Sequence, residues 1–373
     1  MTISLIFSLG AVLLVLGSSH FYLARRLHQI LIRFFPGLPF AALAGIFAVL
    51  MLILILGFSR SMLPLPAAVN RLLGVANACW MGVFLYLLAF FLLADGAYLL
   101  ARFFGPVNRF AFLIAGLILA LTVSAYGFFH AANLQVKDYD ITLPGGEDLT
   151  VVLISDLHLG AVGSEARLPQ IAEEINRLSP DLICISGDFF DSDFSAISDP
   201  EAAAATLRTL SAPYGTWACL GNHDAGSTAA QMQVFLERCG IRVLNDEYTT
   251  LPGKLVLAGR LDASPIGGYG GTSRQPLDLA GADPALPVVV MDHNPAHIGE
   301  YGPEVDLILC GHTHKGQIFP GSIITNRMYT VDYGYYRAND TAPQVIVSSG
   351  VGTWGMPMRV GSDCEIVKIR IHP

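Results

Sequence analysis

The chain has 373 residues, of which 53% are hydrophobic and 14% are charged. This composition is too apolar for an ordinary soluble protein, and the length allows more than one domain. Residues 1–136 hold seven basic residues and one acid, a net charge of +6, which leaves −14 for residues 137–373 because the whole chain carries −8. The acidity of the second part argues against nucleic acid as a partner, since phosphate backbones recruit basic surfaces.

About four apolar stretches in the first third are each close to the ~20 residues that a helix needs to cross a bilayer. They run from Ile3 to Leu23, Phe40 to Phe58, Val75 to Leu100 and Phe110 to Phe129. Backbone polar groups in lipid must be hydrogen-bonded within their own segment, so the stretches are predicted to be helices. Residues 1–136 are therefore predicted to form a multi-pass α-helical membrane anchor.

The positive charges between these stretches give a prediction of topology. The first and third connections hold five arginines, whereas the second connection and the exit segment hold three basic residues. Basic loops favour the cytoplasm, so residues 137–373 are predicted to lie on the extracytoplasmic side of an inner or plasma membrane. The five cysteines of this part form no CxxC pair, and three lie in apolar runs, so they are predicted to be buried thiols. Five free thiols are unusual for an exported domain.

Asp95 is the single acid of the apolar third. A lone intramembrane carboxylate can mark a transport pathway. Its place near Arg102, at the end of its helix, favours an interfacial or interhelical hydrogen bond instead.

After residue 136, short runs rich in Val and Ile alternate with segments of helical periodicity. Helices are predicted at 168–178, 200–210 and 227–239. Strands are predicted at 151–154, 181–186, 216–220, 241–244, 254–258, 288–291, 306–310, 344–348 and 365–371. This alternation predicts an α/β domain over residues 137–373, with antiparallel pairing concentrated late in the chain.

Five polar motifs directly follow predicted strands. They are SDLH (Ser155–His158), GD (Gly187-Asp188), GNHD (Gly221–Asp224), DH (Asp292-His293) and GHTH (Gly311–His314). Five of the chain's ten histidines lie in these motifs. Ligand sites in open α/β sheets form at the carboxyl ends of the strands, so the motifs are expected to meet at one rim.

The residue types of the motifs point to metal chemistry. Imidazole nitrogens together with carboxylate and amide oxygens suit Mn, Fe or Zn. Two such ions ~3.5–4 Å apart can clamp the attacking and the leaving oxygen of an in-line displacement. The pair needs one bridging carboxylate and terminal ligands on both sides, and the glycines at 187, 221 and 311 allow the sharp turns that bring them together.

The ordered set of motifs resembles the calcineurin-like metallophosphoesterases. Two further segments, GHTHKGQ (Gly311–Gln317) and SSGVGTWGMPMR (Ser348–Arg359), resemble the membrane-associated YkuE- and YaeI-type phosphodiesterase branch. The resemblance extends to about residue 371 and does not cover the anchor. It implies a layered β-sandwich core flanked by helices and a metal-dependent phosphoester hydrolase.

The resemblance also assigns roles. It implies that one divalent metal ion is held by Asp156, His158 and His314, a second by Asn222, His293 and His312, and that Asp188 bridges the two. A hydroxide between the ions would attack phosphorus. His223 would protonate the leaving oxygen, with Asp224 orienting its ring.

Other residues have two interpretations each. Asp191 and Asp193 either tune the charge of the site or are solvated loop acids. Arg359 either contacts phosphate or is a surface arginine. Four tyrosines and one arginine between GHTH and the final strands either line the substrate cleft or form an ordinary amphipathic loop. They are Tyr329, Tyr333, Tyr335, Tyr336 and Arg337.

The predicted function is hydrolysis of a phosphoester or pyrophosphate bond on a phosphorylated, membrane-associated or lipid-linked substrate. UDP-diacylglucosamine-type cleavage is one option that the resemblance allows, but it needs a cytoplasmic site and conflicts with the predicted topology. A catalytically silent membrane sensor or scaffold is the alternative. A third interpretation, a small transporter, rests only on Asp95 and the multiple crossings, and the sequence does not indicate an oligomeric state.

Overall fold

The computed structural model describes residues 3–60, 63–191 and 193–373 of the chain. It divides into two compact units, Met1–Gly127 and Phe128–Pro373. The predicted boundary between residues 136 and 137 falls inside the first strand of the second unit, β1 (Leu134–Thr142).

Four long helices account for most of the apolar third. They are α1 (Ile3–Leu31), α2 (Phe40–Phe58), α3 (Ala67–Ala101) and α4 (Arg109–Ala131). Within the described residues, three segments are long and apolar enough to cross a membrane, namely Phe40–Phe58, Ala68–Ala101 and Arg109–Ala131. The predicted first stretch, Ile3–Leu23, lies in α1, a helix of 29 residues. The prediction of a multi-pass helical anchor is confirmed.

Asp95 joins three of these helices by hydrogen bonds. Its carboxylate accepts from Tyr22 Oη at 2.6 Å and from Arg26 Nε at 2.7 Å, both on α1. It also accepts from Arg109 Nη2 of α4 at 3.0 Å. The interhelical hydrogen bond predicted for Asp95 is confirmed, and the pairing with two arginines gives it a structural role that needs no transport pathway.

Among its described residues, the second unit has two six-stranded mixed sheets and, after the end of α4, four α-helices. The first sheet has the spatial order β1 (Leu134–Thr142), β12 (Cys364–His372), β2 (Leu149–Ile154), β3 (Leu182–Ser186), β4 (Thr216–Cys219) and β5 (Ile241–Val243). The second has the order β10 (Gly334–Arg337), β11 (Gln344–Val347), β9 (Leu307–Cys310), β8 (Val288–Met291), β7 (Leu255–Gly259) and β6 (Glu247–Leu251). The helices are α5 (Ser164–Arg177), α6 (Pro200–Leu207), α7 (Ala229–Arg238) and α8 (Gly321–Met328).

Alternation along β2 shows how the layers form. Val151 and Leu153 belong to an apolar core shared with residues of the second sheet, such as Leu257 and Leu309. Val152 and Ile154 point to the other face and pack in the core that includes residues of α5, α6 and α7. A strand that is apolar on both faces is buried on both faces, so the sheet lies between the second sheet and the helices. The predicted α/β fold class with a layered β core is confirmed.

The state of the cysteines and the position of the strand ends also agree with the predictions from the sequence. All six cysteines are free, and the five of the second unit are buried, as predicted. Strands β2, β3 and β4 run parallel, as do β7, β8, β9 and β11. Ser186 Oγ, at the end of β3, donates to Leu309 O of β9 at 3.0 Å. This hydrogen bond brings the carboxyl ends of both sheets to one rim.

Candidate metal centre

The chain turns sharply as soon as it leaves each strand of the rim. Non-glycine residues rarely adopt positive φ angles, and such strain collects at functional sites. Five residues of the predicted site do so: Asp156 (φ 56°), His158 (47°), Asp188 (53°), His312 (72°) and His314 (50°). The turns direct carboxylate and imidazole groups into the same space at the rim.

Close backbone approaches explain two of the glycines. A Cβ atom on Gly221 would collide with the carboxylate and the main-chain nitrogen of Asp188. A Cβ on Gly311 would lie 2.5 Å from Asp156 Oδ2. Only glycine therefore allows these loops to pack against the two carboxylates.

The first set of side chains, here called the inner cluster, consists of Asp156, His158 and His314. All three are buried. His158 Nε2 lies 3.1 Å from His314 Nε2 and 3.9 Å from Asp156 Oδ1, and His314 Nε2 lies 3.4 Å from Asp156 Oδ1. Two imidazole nitrogens and one carboxylate oxygen thus converge on one point.

The second set, the outer cluster, consists of Asn222, His293 and His312. His312 Nδ1 lies 2.9 Å from Asn222 Oδ1 and 3.2 Å from His293 Nε2. His293 Nε2 is 3.2 Å from Asn222 Oδ1, and its other ring nitrogen, Nδ1, lies 2.8 Å from Ser186 O. His293 is buried, whereas Asn222 and His312 are partly exposed.

Asp188 stands between the clusters. Its Oδ2 lies 3.2 Å from His293 Nε2 of the outer cluster and 3.8 Å from His158 Nε2 of the inner cluster. Its Oδ1 accepts a hydrogen bond from the main-chain N–H of His223 at 2.9 Å. The structure therefore brings together all seven residues predicted to hold metal, with one carboxylate facing both groups.

Burial sets the charge of these groups. It lowers the pKa of His158 and of His312 to about 3, and that of His314 well below its ordinary value. These three rings are neutral at pH 7 and have a lone pair to donate. Burial raises the pKa of Asp156 to about 6, with the Asp188 charge adding to the effect. Burial alone would raise the pKa of Asp188, but His293 beside it holds that pKa below its usual range.

The donor set fits divalent metal ions. Imidazole nitrogens, carboxylates and one amide oxygen are ligands for Mn, Fe or Zn. Two ring nitrogens that face each other at 3.1 Å in a buried position suit a cation between them. Three groups of mutually close ligand atoms occur among the described residues, namely Asp156–His158–His314, Asp188–His293–His312 and His158–Asp191–His223.

His223 lies beside the inner cluster. Its ring centroid is 5.1 Å from that of His158 and 6.0 Å from that of the half-exposed Trp354. Burial lowers the pKa of His223. The His223 ring therefore lies between His158 of the inner cluster and Trp354.

The two neighbouring carboxylates have different partners. Asp224 is buried and accepts hydrogen bonds from the main-chain N–H groups of Gly221 at 2.9 Å and Phe190 at 3.0 Å. It therefore ties two strand-end loops together, and its assignment as the residue that orients His223 stays a prediction. Asp191 instead has a carboxylate oxygen within 4.8 Å of ring nitrogens of both His158 and His223. It is part of the site and not a solvated loop acid.

Arg359 is neither of the two things that its sequence context suggested. Its side chain is fully buried, and Nη2 donates to Ser349 O at 2.7 Å and to Gly352 O at 2.6 Å. Nη1 donates to His314 O at 3.0 Å, and Nη2 lies 3.2 Å from His314 Nδ1. Arg359 thus holds a loop of main-chain carbonyls against the GHTH segment, a role that no single motif indicates.

The four tyrosines and Arg337 of this predicted segment have different surroundings. Tyr329 lies against His312, with ring centroids 6.1 Å apart. Tyr333 donates to Glu365 at 2.9 Å and Tyr335 to Gln344 at 3.1 Å, while Arg337 donates to main-chain carbonyls of its own turn. Tyr335, Tyr336 and Arg337 belong to β10, so they form a strand and not the predicted loop.

Comparison with known proteins decides the family. The sequence profile of the calcineurin-like phosphoesterases matches residues 149–316. An uncharacterized metallophosphoesterase of Aquifex aeolicus is 32% identical over 262 residues, which are 68% of this chain and 98% of the relative. The chain belongs to the calcineurin-like phosphoesterase family.

Two further metallophosphoesterases agree with the predicted branch and with the anchor. YkuE of Bacillus subtilis is 32% identical over 281 residues, 69% of this chain and 93% of YkuE. A protein of Danio rerio named as a transmembrane protein with metallophosphoesterase domain is 30% identical over 275 residues, 69% of this chain and 62% of the relative. The chain spans 53–62% of the length of the animal relatives that it matches.

Family membership confirms the predicted resemblance. The second unit is a metallophosphoesterase domain, and the family carries out metal-dependent hydrolysis of phosphoesters. Together with the apolar helices, it makes the chain a membrane-associated metallophosphoesterase.

Proposed function

We propose that the chain is a dinuclear phosphoesterase that hydrolyses a phosphoester or pyrophosphate bond of a membrane-associated, lipid-linked substrate. The observation that carries the proposal is Asp188, whose Oδ2 faces His158 of the inner cluster and His293 of the outer cluster. The inner cluster and Asp188 would hold one divalent ion, and the outer cluster and Asp188 the other. Mn, Fe or Zn would suit both positions.

Two such ions, when bound, supply Lewis acidity and a water of lowered pKa for attack on phosphorus. The protein's own part is orientation. The main-chain N–H of His223 fixes Asp188 Oδ1, and that of His312 donates to both oxygens of Asp156, at 3.2 and 3.1 Å. These bonds hold the carboxylates in place before substrate arrives, which removes a reorganisation cost from the reaction.

The position of His223 suits proton transfer. The ring lies next to the inner cluster and also contacts the half-exposed Trp354. We assign it the protonation of the leaving oxygen, with Asp191 as the carboxylate close enough to orient the ring. Trp354 offers an exposed aromatic face to the apolar part of an amphipathic ester.

The location of the reaction is part of the proposal. The membrane-spanning helices keep the domain at a bilayer, so a lipid-linked or membrane-made phosphate is the substrate class within reach. The distribution of basic residues supports an extracytoplasmic site at an inner or plasma membrane.

Purified full-length chain loaded with Mn²⁺ tests the proposal. We expect hydrolysis of p-nitrophenyl phosphate or its bis ester, and close to two ions per chain by elemental analysis. Activity against a panel of phospholipids, lipid-linked sugars and nucleotide sugars would then define the substrate. Folded protein that binds the metal and turns over none of these compounds would instead support a silent sensor or scaffold.

A further inference from the structure

Helix α8 presents apolar side chains to solvent. None of its eight residues, all of which the structure describes, is buried. Ile323, Ile324 and Met328 are 43%, 59% and 69% exposed. A surface helix ordinarily turns its apolar residues towards a core, and a contiguous exposed group of this kind marks an interaction surface. These three residues are here called the α8 ridge.

Two cations border the ridge. A cavity of about 460 Å³ lies between α8 and the end of the GHTH segment, and it is lined by Lys315, Ser322, Ile323, Asn326, Arg327, Asp332 and Tyr333. The Lys315 ammonium lies 4.1 Å from the centroid of the Tyr333 ring, and Arg327 is exposed. Residues 137–373 carry a strongly negative net charge. Two cations beside an apolar ridge are therefore unusual in this acidic domain. Together they match the surface of a bilayer, which has an apolar acyl interior and anionic headgroups.

The ridge is connected to the end of a membrane-spanning helix. The last turn of α4 belongs to the second unit, and His130 Nε2 lies 2.9 Å from Asp363 Oδ1. The residue before Asp363, Ser362, donates its hydroxyl to Gln317 O at 2.8 Å. Phe319 N donates to Val360 O at 2.8 Å. The segment 360–363 thus holds both the last turn of α4 and the turn that leads into α8.

The connection between α4 and the sheet is short. Helix α4 ends at Ala131 and β1 begins at Leu134. Two intervening residues span at most roughly 10 Å. This connection is too short to carry the second unit far from a bilayer that α4 crosses, which makes the surface of that bilayer the partner within reach.

We propose that the α8 ridge inserts into the boundary between headgroups and acyl chains of that bilayer, with Lys315 and Arg327 facing anionic lipid phosphates. Apolar side chains of such interfacial helices reach ~5–10 Å into this boundary. Trp354 extends the contact towards the metal centre, because its main-chain N–H and C=O are hydrogen-bonded to Gln317 at 2.7 Å each. Docking would place Trp354, and with it the His223 side of the metal centre, at headgroup level. The docking itself does not depend on hydrolysis.

Spin labelling tests the contact directly. The full chain with Cys79→Ser, which removes the one cysteine that is not buried, would carry a label at Ile324→Cys. The matched control is Val234→Cys on α7, an apolar residue that is 56% exposed. Both are reconstituted in vesicles of phosphatidylcholine and phosphatidylglycerol. We expect the label at 324 to collide more with oxygen than with a water-soluble nickel chelate, and the label at 234 to show the reverse.

Other outcomes would overturn the proposal. Equal aqueous exposure at the two positions would show that the ridge stays in solvent. Protection of position 324 from both reagents, with dipolar broadening between labels, would assign the ridge to a second copy of the chain. The charge component is tested with Arg327→Gln, which should lower the docked fraction in anionic vesicles and leave it unchanged in pure phosphatidylcholine. An unchanged docked fraction in both would remove Arg327 from the proposal.

Discussion

The inner and outer clusters use similar donors in different surroundings. The inner cluster is buried and has its own carboxylate, Asp156, in addition to the shared Asp188. The outer cluster has the neutral amide of Asn222 where the inner one has a carboxylate, and Asn222 and His312 are partly exposed. Ligand charge and rigidity tune metal affinity, so under the proposed function the inner position would hold its ion more tightly than the outer one.

The two clusters also differ in what supports them. Around the inner cluster, Arg359 contacts His314, and Asp191 Oδ1 lies 3.7 Å from His158 Nδ1. In the outer cluster, His293 Nδ1 faces the carbonyl of Ser186. Partners of metal-binding side chains fix ring orientation and affect affinity. The asymmetry therefore predicts that mutations can weaken one ion without removing the other.

The largest effect is expected at Asp188, the residue that both clusters share. Asp188→Asn removes the carboxylate charge that faces both clusters. We expect turnover of bis-p-nitrophenyl phosphate to fall by at least ~10³-fold and both ions to be lost, because bridging supplies negative charge to each. Elemental analysis and steady-state kinetics measure the two effects.

A surface acid provides the control for this change. Asp278→Asn alters an exposed loop residue that caps its own turn, by accepting from Ala280 N at 2.9 Å. It should keep full metal content and activity. Retention of one tightly held ion in Asp188→Asn would show that the carboxylate serves a single cluster.

The next effect concerns a residue that belongs to neither cluster. His223→Ala removes the ring beside His158, but its main-chain N–H can still donate to Asp188. We expect kcat to fall by ~10²–10⁴-fold, as for loss of a general acid, with close to two ions still bound. Loss of both ions would contradict the proposed role, and a leaving group that needs no proton should rescue part of the rate.

Much of the fold could be predicted because its central strands are apolar on both faces. The strand at Val288–Met291 was predicted with its observed bounds. Strand β1, LQVKDYDIT, escaped prediction because it is an edge strand with mostly polar or half-buried residues. Its formation depends on parallel pairing with β12, from Leu134 opposite Cys364 to Thr142 opposite His372. No local pattern can reveal a partner more than 200 positions away.

The site shows the same limit. Its seven metal-binding candidates follow strands, so their convergence could be inferred from strand ends alone. Asp191 and Arg359 could not be placed in this way. Arg359 is buried because the carbonyls of Ser349, Gly352 and His314 converge on its guanidinium. That convergence arises only when the loops are folded, so an isolated arginine in a sequence does not predict it.

Arg359 provides a smaller test that acts on the inner cluster. Arg359→Lys keeps the charge but cannot reproduce the planar fork that donates to several carbonyls. We expect Mn²⁺ affinity at the inner position to fall by ~10–100-fold, the range seen when partners of metal ligands are changed. Affinity at the outer position should change little. Measurement of the melting temperature without metal separates this effect from general destabilisation, and equal weakening of both ions would argue against a local role.

The smallest expected effect compares the clusters directly. His312→Ala leaves the inner cluster intact, and His314→Ala leaves the outer one, so each variant should retain a single ion. We expect the ion kept by His312→Ala to bind Mn²⁺ roughly tenfold more tightly, because two carboxylates face it instead of one. Titration followed by electron paramagnetic resonance measures both constants, with competition by a chelator as a second readout. Equal constants would mean that burial cancels the extra charge, since desolvation of a buried carboxylate opposes the gain.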